Sequence, residues 1–511
     1  MRRLRTLLVL GSLSSCLFQV ELEGTTCDPS QPAPCGDDTG LSCRNNTCQR
    51  GGTGGGSAGG RGDAGNSDAG RSDGGNVGGG TAGGSVVLGP PVLTWVVSMP
   101  VRDGGEGLGQ SVSIDSAGGI IVAGAPGGSG NGAALLITRT DGGWKTAELA
   151  NTVQNPSSNS LRFGAFVKAA AGGRVVAVGS PHPGGTQMGV RVFRGAGLAM
   201  AEDLAGANEG FGSAFDFTSS ANMLVVGAAE SSTYGPGGTG LVRTYRFNGA
   251  NSFLVNQDNP QSPDAGVRDH LVPPERPLAT RFGSGIALTN GGTVLWVGSY
   301  ALPGDAGTAT GGVLRFEGLV GNWSTVSRQL RFRRRATGSY PENCGDSTGL
   351  AVSEAGDVAL VGCPGEEGAP GVQSAGSVRL LRFDGGTVAS EAIVRPATNW
   401  DSFGSFARVA LTRSGSIGVI GQPGRNTVWL LDTADAGLID LDLGLTLPSR
   451  LTTASGAGTS VAISDDGRTI VVGAPALAAV CSGGPSVFTD AQCVTAGAPS
   501  GGVLIFERSA E

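Results

Sequence analysis

The chain has 511 residues, with 35 Lys and Arg against 42 Asp and Glu, a net charge of −7 and a pI near 5.1. An acidic balance excludes nucleic acid as the expected partner, because phosphate binding needs clustered cations. No apolar run beyond the first residues is long enough to span a bilayer.

Residues 1–15 read as a secretory signal: the basic Met1-Arg2-Arg3-Leu4-Arg5, a short apolar stretch from Thr6 to Leu13, and small residues before Cys16. The Leu13-Ser14-Ser15-Cys16 ending resembles the bacterial lipobox, which implies that Cys16 is acylated and becomes the mature N-terminus. Acyl chains would hold the protein on a membrane, since each buried methylene contributes about 0.8 kcal/mol. Ordinary cleavage with a stray cysteine is the competing assignment. The expected location is the bacterial envelope, lipid-anchored at the outer membrane or cell surface.

Removing Cys16 from nine cysteines leaves eight: Cys27, Cys35, Cys43 and Cys48, then Cys344 with Cys363, then Cys481 with Cys493. Even counts in an exported chain read as disulfides. Residues 16–49 have little to bury and read as a small stapled knob with three possible connectivities. Zinc is the rival assignment, but the spacings are not Cys-x-x-Cys. Cys344 and Cys363 flank the first hairpin of one repeat, and Cys481 and Cys493 would close a long insertion in another.

Residues 50–88 are mostly Gly, Ser, Asp, Asn, Ala and Arg, the composition of a flexible linker with an r.m.s. reach of about 35 Å. The Arg61-Gly62-Asp63 tripeptide inside it follows from that composition.

From residue 89 onward one pattern recurs seven times. An apolar run ends on Gly124, Gly179, Gly227, Gly298, Gly362, Gly421 and Gly473, and upstream of each stands Leu108-Gly109, Phe163-Gly164, Phe211-Gly212, Phe282-Gly283, Cys344-Gly345, Phe403-Gly404 or Ala457-Gly458. The two glycines are 15 residues apart in five units and 17 in two. Each unit reads as four antiparallel strands, the second apolar on both faces, the third opening after a Gly, and the fourth carrying Trp or Leu, as in Trp144–Leu149 and Trp323–Leu330. Such a period predicts an all-β, seven-bladed β-propeller over residues 89–511. The seventh unit lacks a fourth strand, and Val92–Val97 has the look of one with nothing ahead of it. The expected closure therefore pairs Val92–Val97 with the strand ending at Phe506.

Phe-Gly-x-Ser/Ala followed by Gly-Ala-Pro resembles the FG-GAP repeat of integrin alpha-subunit propellers and bacterial surface proteins, over about residues 92–511. The resemblance implies a role in adhesion or interaction. In that family several blades hold calcium with Asp-x-Asp/Asn-x-Asp-Gly before Gly-Ala-Pro, and calcium needs six to eight oxygen ligands. The corresponding turns here, among them Asp115–Gly119, Glu354–Asp357 and Asp465-Asp466-Gly467, offer no three spaced carboxylates. Neither a metal nor another cofactor is expected.

Catalytic candidates are thin, and none is assigned. The two histidines are His182, beside prolines in a loop at a rim where a ligand could bind, and His270, in the long connection between units three and four. Asp465 with Asp466 and Glu366 with Glu367 read as solvated turn residues. Arg331, Arg333 and Arg335 would share one face of a strand, suited to an anionic polysaccharide or lipid headgroup or, as the preferred reading, to protecting an edge. Lysine occurs only at Lys145 and Lys168, which reads as base composition rather than chemistry. The expected function is a non-enzymatic, monomeric envelope lipoprotein whose propeller binds an extracellular protein or glycan. The alternative is an envelope hydrolase or lyase acting on polysaccharide, which would need a convergent polar cluster at the rim of the central channel, and the sequence displays none.

Overall fold

The computed structural model describes residues 41–44, 47–50, 88–98, 107–127, 132–149, 162–181, 189–204, 210–231, 238–247, 253–255, 270–273, 280–289, 291–299, 302, 311–319, 322–331, 344–345, 349–366, 376–395, 408–440, 455–481, 493–495 and 501–509. The signal, Cys16, Cys27, Cys35, His182, Arg333 and Arg335 lie outside the described residues, as does most of the linker. The chain divides into two units, Met1–Gly83 and Gly84–Glu511. The first contains a hairpin of Leu41–Arg44 with Thr47–Arg50 that sets Cys43 directly opposite Cys48.

The second unit is a seven-bladed propeller of antiparallel sheets. Blade 1 comprises Ser111–Ile114, Ile120–Ala125, Ala133–Thr140 and Gly143–Leu149, ordered from the axis outward. The first strands of blades 2 to 7 are Phe166–Ala170, Phe211–Phe217, Phe282–Leu288, Leu350–Val352, Val409–Leu411 and Ser460–Ile463. Second strands such as Met223–Ala228 and Thr469–Ala474 are buried along their whole length, as their two-faced apolar sequence requires.

The seventh sheet is composite. Ser460–Ile463, Thr469–Ala474 and Gly502–Glu507 are joined at the outer edge by Val92–Ser98, with Leu93 opposite Phe506 and Ser98 opposite Gly502. Gly89 N–H donates to Ser509 O at 3.0 Å, and Arg508 donates from Nε to Gly89 O at 2.9 Å. Closure from the two ends of the propeller is therefore as the repeats imply.

Among the described residues the apolar side chains fall into seven clusters, and each straddles one seam between neighbouring blades. The cluster of Leu108, Ile121 and Ile137 with Val471, Val503 and Ile505 joins blade 1 to blade 7. The repeated aromatic belongs to these seams. Phe163, Phe211 and Phe282 are at most 2% exposed, and Phe163 and Phe282 form parallel bridges to Gly132 and Gly240 of the preceding blade.

The repeated glycines have a second task. Gly109, Gly164, Gly212, Gly283, Gly345 and Gly458 all have φ between +81° and +93°, a region that costs any residue with a Cβ. Each lies against the glycine that ends the second strand of the blade before it: a Cβ built on Gly124 would stand 1.8 Å from Gly164 O, one on Gly298 1.8 Å from Gly345 O, and one on Gly473 1.9 Å from Gly109 O. Backbone meets backbone at every such seam, so the motif recurs because the blades cannot pack closely without it.

One detail goes beyond the sequence reading, and one cysteine pairing is as expected. His270 does not sit in a free connection: His270–Leu271 pairs with Arg243 and Val242 of blade 3, while Phe253–Val255 pairs with Tyr245–Phe247 further along the same strand. The outer strand of blade 3 is thus one strand in two pieces, split by an insertion. In blade 5, Cys344 occupies the aromatic's place and forms a disulfide with Cys363, Cα to Cα 4.0 Å. In the insertion of blade 7, Cys481 and Cys493 are opposite one another across a hairpin.

Candidate functional site

Because strands alternate in direction, the turns from first to second strand in all seven blades gather on one face, around one mouth of the axial channel. In six blades the residue that follows the first strand is Ser, Thr or Asp. Its side-chain oxygen accepts the backbone N–H five residues on: Asp115 from Ile120, Thr218 from Met223, Thr289 from Val294, Ser353 from Val358, Thr412 from Ile417 and Ser464 from Thr469, at 2.8–3.2 Å. Short side chains that bond their own turn suit this place. The turns are held internally, by bonds that require no ion. Among the described residues no group of three or more His, Cys, Asp or Glu is arranged to hold a metal.

This arrangement predicts the same melting temperature in excess EDTA and in millimolar calcium. An occupied site would add about 2.7 kcal/mol at a hundredfold excess over Kd, and a calcium-dependent rise of several degrees in calorimetry would contradict the reading and point first to Asp465 and Asp466.

The channel itself holds a cavity of about 190 Å³ lined by the first strands of all seven blades, including Ser113, Lys168, Asp216, Arg408 and Ile463. At the turn face it continues into a cavity of about 210 Å³, whose charged lining is Lys168, Asp216, Glu354, Arg413 and Asp465, from blades 2, 3, 5, 6 and 7. Lys168 Nζ lies 2.8 Å from Asp216 Oδ1. Asp216 also accepts Phe217 N–H and, across the seam, Leu288 N–H, each at 2.9 Å. Arg413 forms an ion pair with Glu354 and reaches Asp465 Oδ2 at 3.7 Å.

Backbone bonds connect neighbouring turns: Ala171 N–H to Ser219 O, Glu354 N–H to Arg413 O and Asp465 N–H to Ser116 O, at 2.9–3.2 Å. The mouth is therefore a preorganised ring. Burial is the main influence on the Asp465 carboxyl and pushes its pKa up, against Arg413 and Lys168, which pull it down; Asp115 and Asp466 add to the rise.

A folded-state pKa above the unfolded one means that the native state holds the proton more tightly. The associated stability is full below the usual Asp value of 3.8 and is lost as pH rises through the folded value. Asp465→Asn is thus expected to melt at an equal or slightly higher temperature than the parent at pH 7. A clear loss of stability at pH 7, read by calorimetry, would contradict this.

The convergent polar cluster absent from the linear sequence is thus present in the fold. Two expectations need correction with it, and a third residue gains a role. Lys168, whatever sets the scarcity of lysine, lines the channel and pairs with Asp216, a role its position in the sequence did not suggest. Asp465 is half-buried at the mouth instead of a solvated turn residue. Glu366 is fully buried: Ser377 Oγ donates to it, and Arg379 and Arg395 lie 3.1 Å and 3.0 Å from its Oε1. A buried carboxylate requires such partners, and a loop position in the sequence does not reveal them. Arg331 ends the outer strand Asn322–Arg331 of blade 4, opposite Gly312 and away from the channel-lining strand.

Comparison with known proteins found no matching family model and no matching curated protein. Among solved structures the chain is similar to Kuenenia stuttgartiensis hydrazine synthase, at 12% identity and a TM-score of 0.47, covering 73% of this chain and 94% of that one. It is also similar to the Myceliophteria thermophila Cps50 (Swd1) beta-propeller domain, at 11% identity and a TM-score of 0.47, covering 82% and 99%. Neither likeness bears on what this chain does.

A sequence signal was nonetheless present at the level of the repeat. The second residue past the first strand, or its equivalent in blade 2, is Ser116, Ala171, Ser219, Asn290, Glu354, Arg413 and Asp465 in successive blades. Three consecutive charged residues at one repeat position, in blades 5, 6 and 7, mark a ring when the units are superposed.

Proposed function

We propose that the protein is a non-enzymatic envelope lipoprotein of the FG-GAP type, held at the membrane by acylated Cys16, whose propeller binds an extracellular glycan or protein at the channel mouth. The supporting observation is the ring of Lys168, Asp216, Glu354, Arg413 and Asp465 around a cavity of about 210 Å³. A rigid mouth of two cations and three carboxylates can exchange its ion pairs for a polar ligand at little reorganisation cost. Glycoside-cleaving catalysis instead needs one carboxyl kept protonated beside a second that is free to attack or to activate water. At this mouth Asp216 and Glu354 are engaged by Lys168 and Arg413.

The anchor is tested by detergent partitioning. Cys16→Ser is expected to move the protein from the detergent phase to the soluble fraction, and identical partitioning of both forms would remove the lipobox reading. The recognition claim is tested by probing a glycan and protein array with the Cys16→Ser chain. Discrete binders that disappear with Arg413→Ala are expected, whereas no binder, or binders indifferent to Arg413→Ala, would contradict binding at the mouth.

A further inference from the structure

Two cations and three carboxylates line the mouth cavity. Lys168 is matched by Asp216 at 2.8 Å and Arg413 by Glu354, which leaves Asp465 with a 3.7 Å contact to a guanidinium already in use. No described residue donates a hydrogen bond to the Asp465 carboxylate, although the Asp465 backbone is fixed by its bond to Ser116 O. Asp115 and Asp466, the other acids near it, are satisfied differently. Asp115 accepts Gly119 and Ile120 N–H at 2.8 Å, and Asp466 accepts Ser464 Oγ–H at 2.6 Å and Arg468 N–H at 3.0 Å. The mouth thus has one acceptor, partly desolvated and facing a cavity, that lacks a donor.

The cavity has the liquid volume of about seven waters, room for one compact polar unit. Beside Asp465 stand Ser116, exposed, and the Arg413–Glu354 fork, and the exposed Ser219 lines the same cavity from blade 3. Those groups can bond neighbouring hydroxyls on a ring. A lysine side chain would satisfy Asp465 but would leave the serines and the fork on water, because its stem carries no polar atom.

We propose that the mouth receives a protonated amine borne on a hydroxylated ring, an amino-sugar unit of a glycan, with the ammonium on Asp465. This rests on the glycan branch of the function proposed above. An ammonium supplies the missing charge-assisted donor, and N-acetylation, which removes that charge, abolishes the match. Recognition is then of the free amine and not of sugar in general.

Titration calorimetry of the full chain in detergent tests this with three probes: a glucosamine hexamer, its N-acetylated counterpart and hexalysine. The glucosamine hexamer is expected to bind the parent at least tenfold more tightly than either other probe. Asp465→Asn, shown to be folded by its melting curve, should weaken that binding about tenfold or more. Equal binding of the acetylated hexamer, unaffected by Asp465→Asn, would overturn the amine inference and leave glycan recognition standing. Hexalysine binding without glucosamine binding would overturn the sugar assignment. Glucosamine binding that Asp465→Asn leaves unchanged would overturn the location. Failure of all three probes would overturn this inference, and the array result would then decide the broader function separately.

Discussion

Deleting residues 89–98 is expected to lower the melting temperature of the propeller by about 5–10 °C. The segment supplies the outer strand of blade 7, and its Leu93, Val96 and Val97 are 6%, 2% and 4% exposed. Full burial of such side chains is worth about 1.5–3 kcal/mol each, so roughly 5–9 kcal/mol is lost before the bared edge of Gly502–Glu507 is considered. Unfolding entropy for a domain of roughly 420 residues is about 0.9 kcal/mol per kelvin, which converts that loss into the stated shift. Trp95 adds to the effect, because it packs against the third-to-fourth-strand turn of blade 1 at Gly143 and so spans the last seam. An unchanged melting curve would mean that Val92–Ser98 does not close the ring.

The second large effect concerns the glycine pairs. Gly298→Ala would place a methyl carbon 1.8 Å from Gly345 O, and Gly473→Ala one 1.9 Å from Gly109 O. Both neighbours are backbone atoms inside a seam, so the blades themselves must move apart. A cost of about 3–5 kcal/mol per site follows, at the upper end for single substitutions. Substitutions at two distant seams should add. Gly119→Ala is the control: its Cβ would meet nothing within 4 Å, and its effect should stay within about 0.5 kcal/mol. If Gly298→Ala melts like Gly119→Ala, the close approach is not what selects glycine there.

These two predictions draw on the part of the fold that is legible in the sequence. Phe-Gly and the later Gly are backbone requirements, repeated wherever two blades meet, and so they appear as a period. The spare strand at Val92–Ser98 is legible for the same reason, since seven units of four strands leave one place unfilled.

The mouth belongs to a different class of information. Lys168, Asp216, Glu354, Arg413 and Asp465 are far apart in the chain and come together because five blades present the same end of the same strand or turn to one axis. Nothing local announces that. Position in the repeat does, because Glu354, Arg413 and Asp465 share one place in successive units. Glu366 and His270 show the limit from another side. One is buried by two arginines from its own blade, and the other completes a split outer strand, and both depend on tertiary pairing across an insertion that hydrophobic period does not encode.

The fold alone does not assign a function, since propellers carry many. The decisive measurement is titration calorimetry of the tightest array ligand with the parent chain, Arg413→Ala and Asp465→Asn, followed by mass analysis of the ligand recovered afterwards. Saturable binding, weakened by both substitutions, with the ligand returned intact, is the result expected of a binding propeller with its site at the channel mouth. A ligand recovered cleaved, or an affinity indifferent to both substitutions, would contradict it.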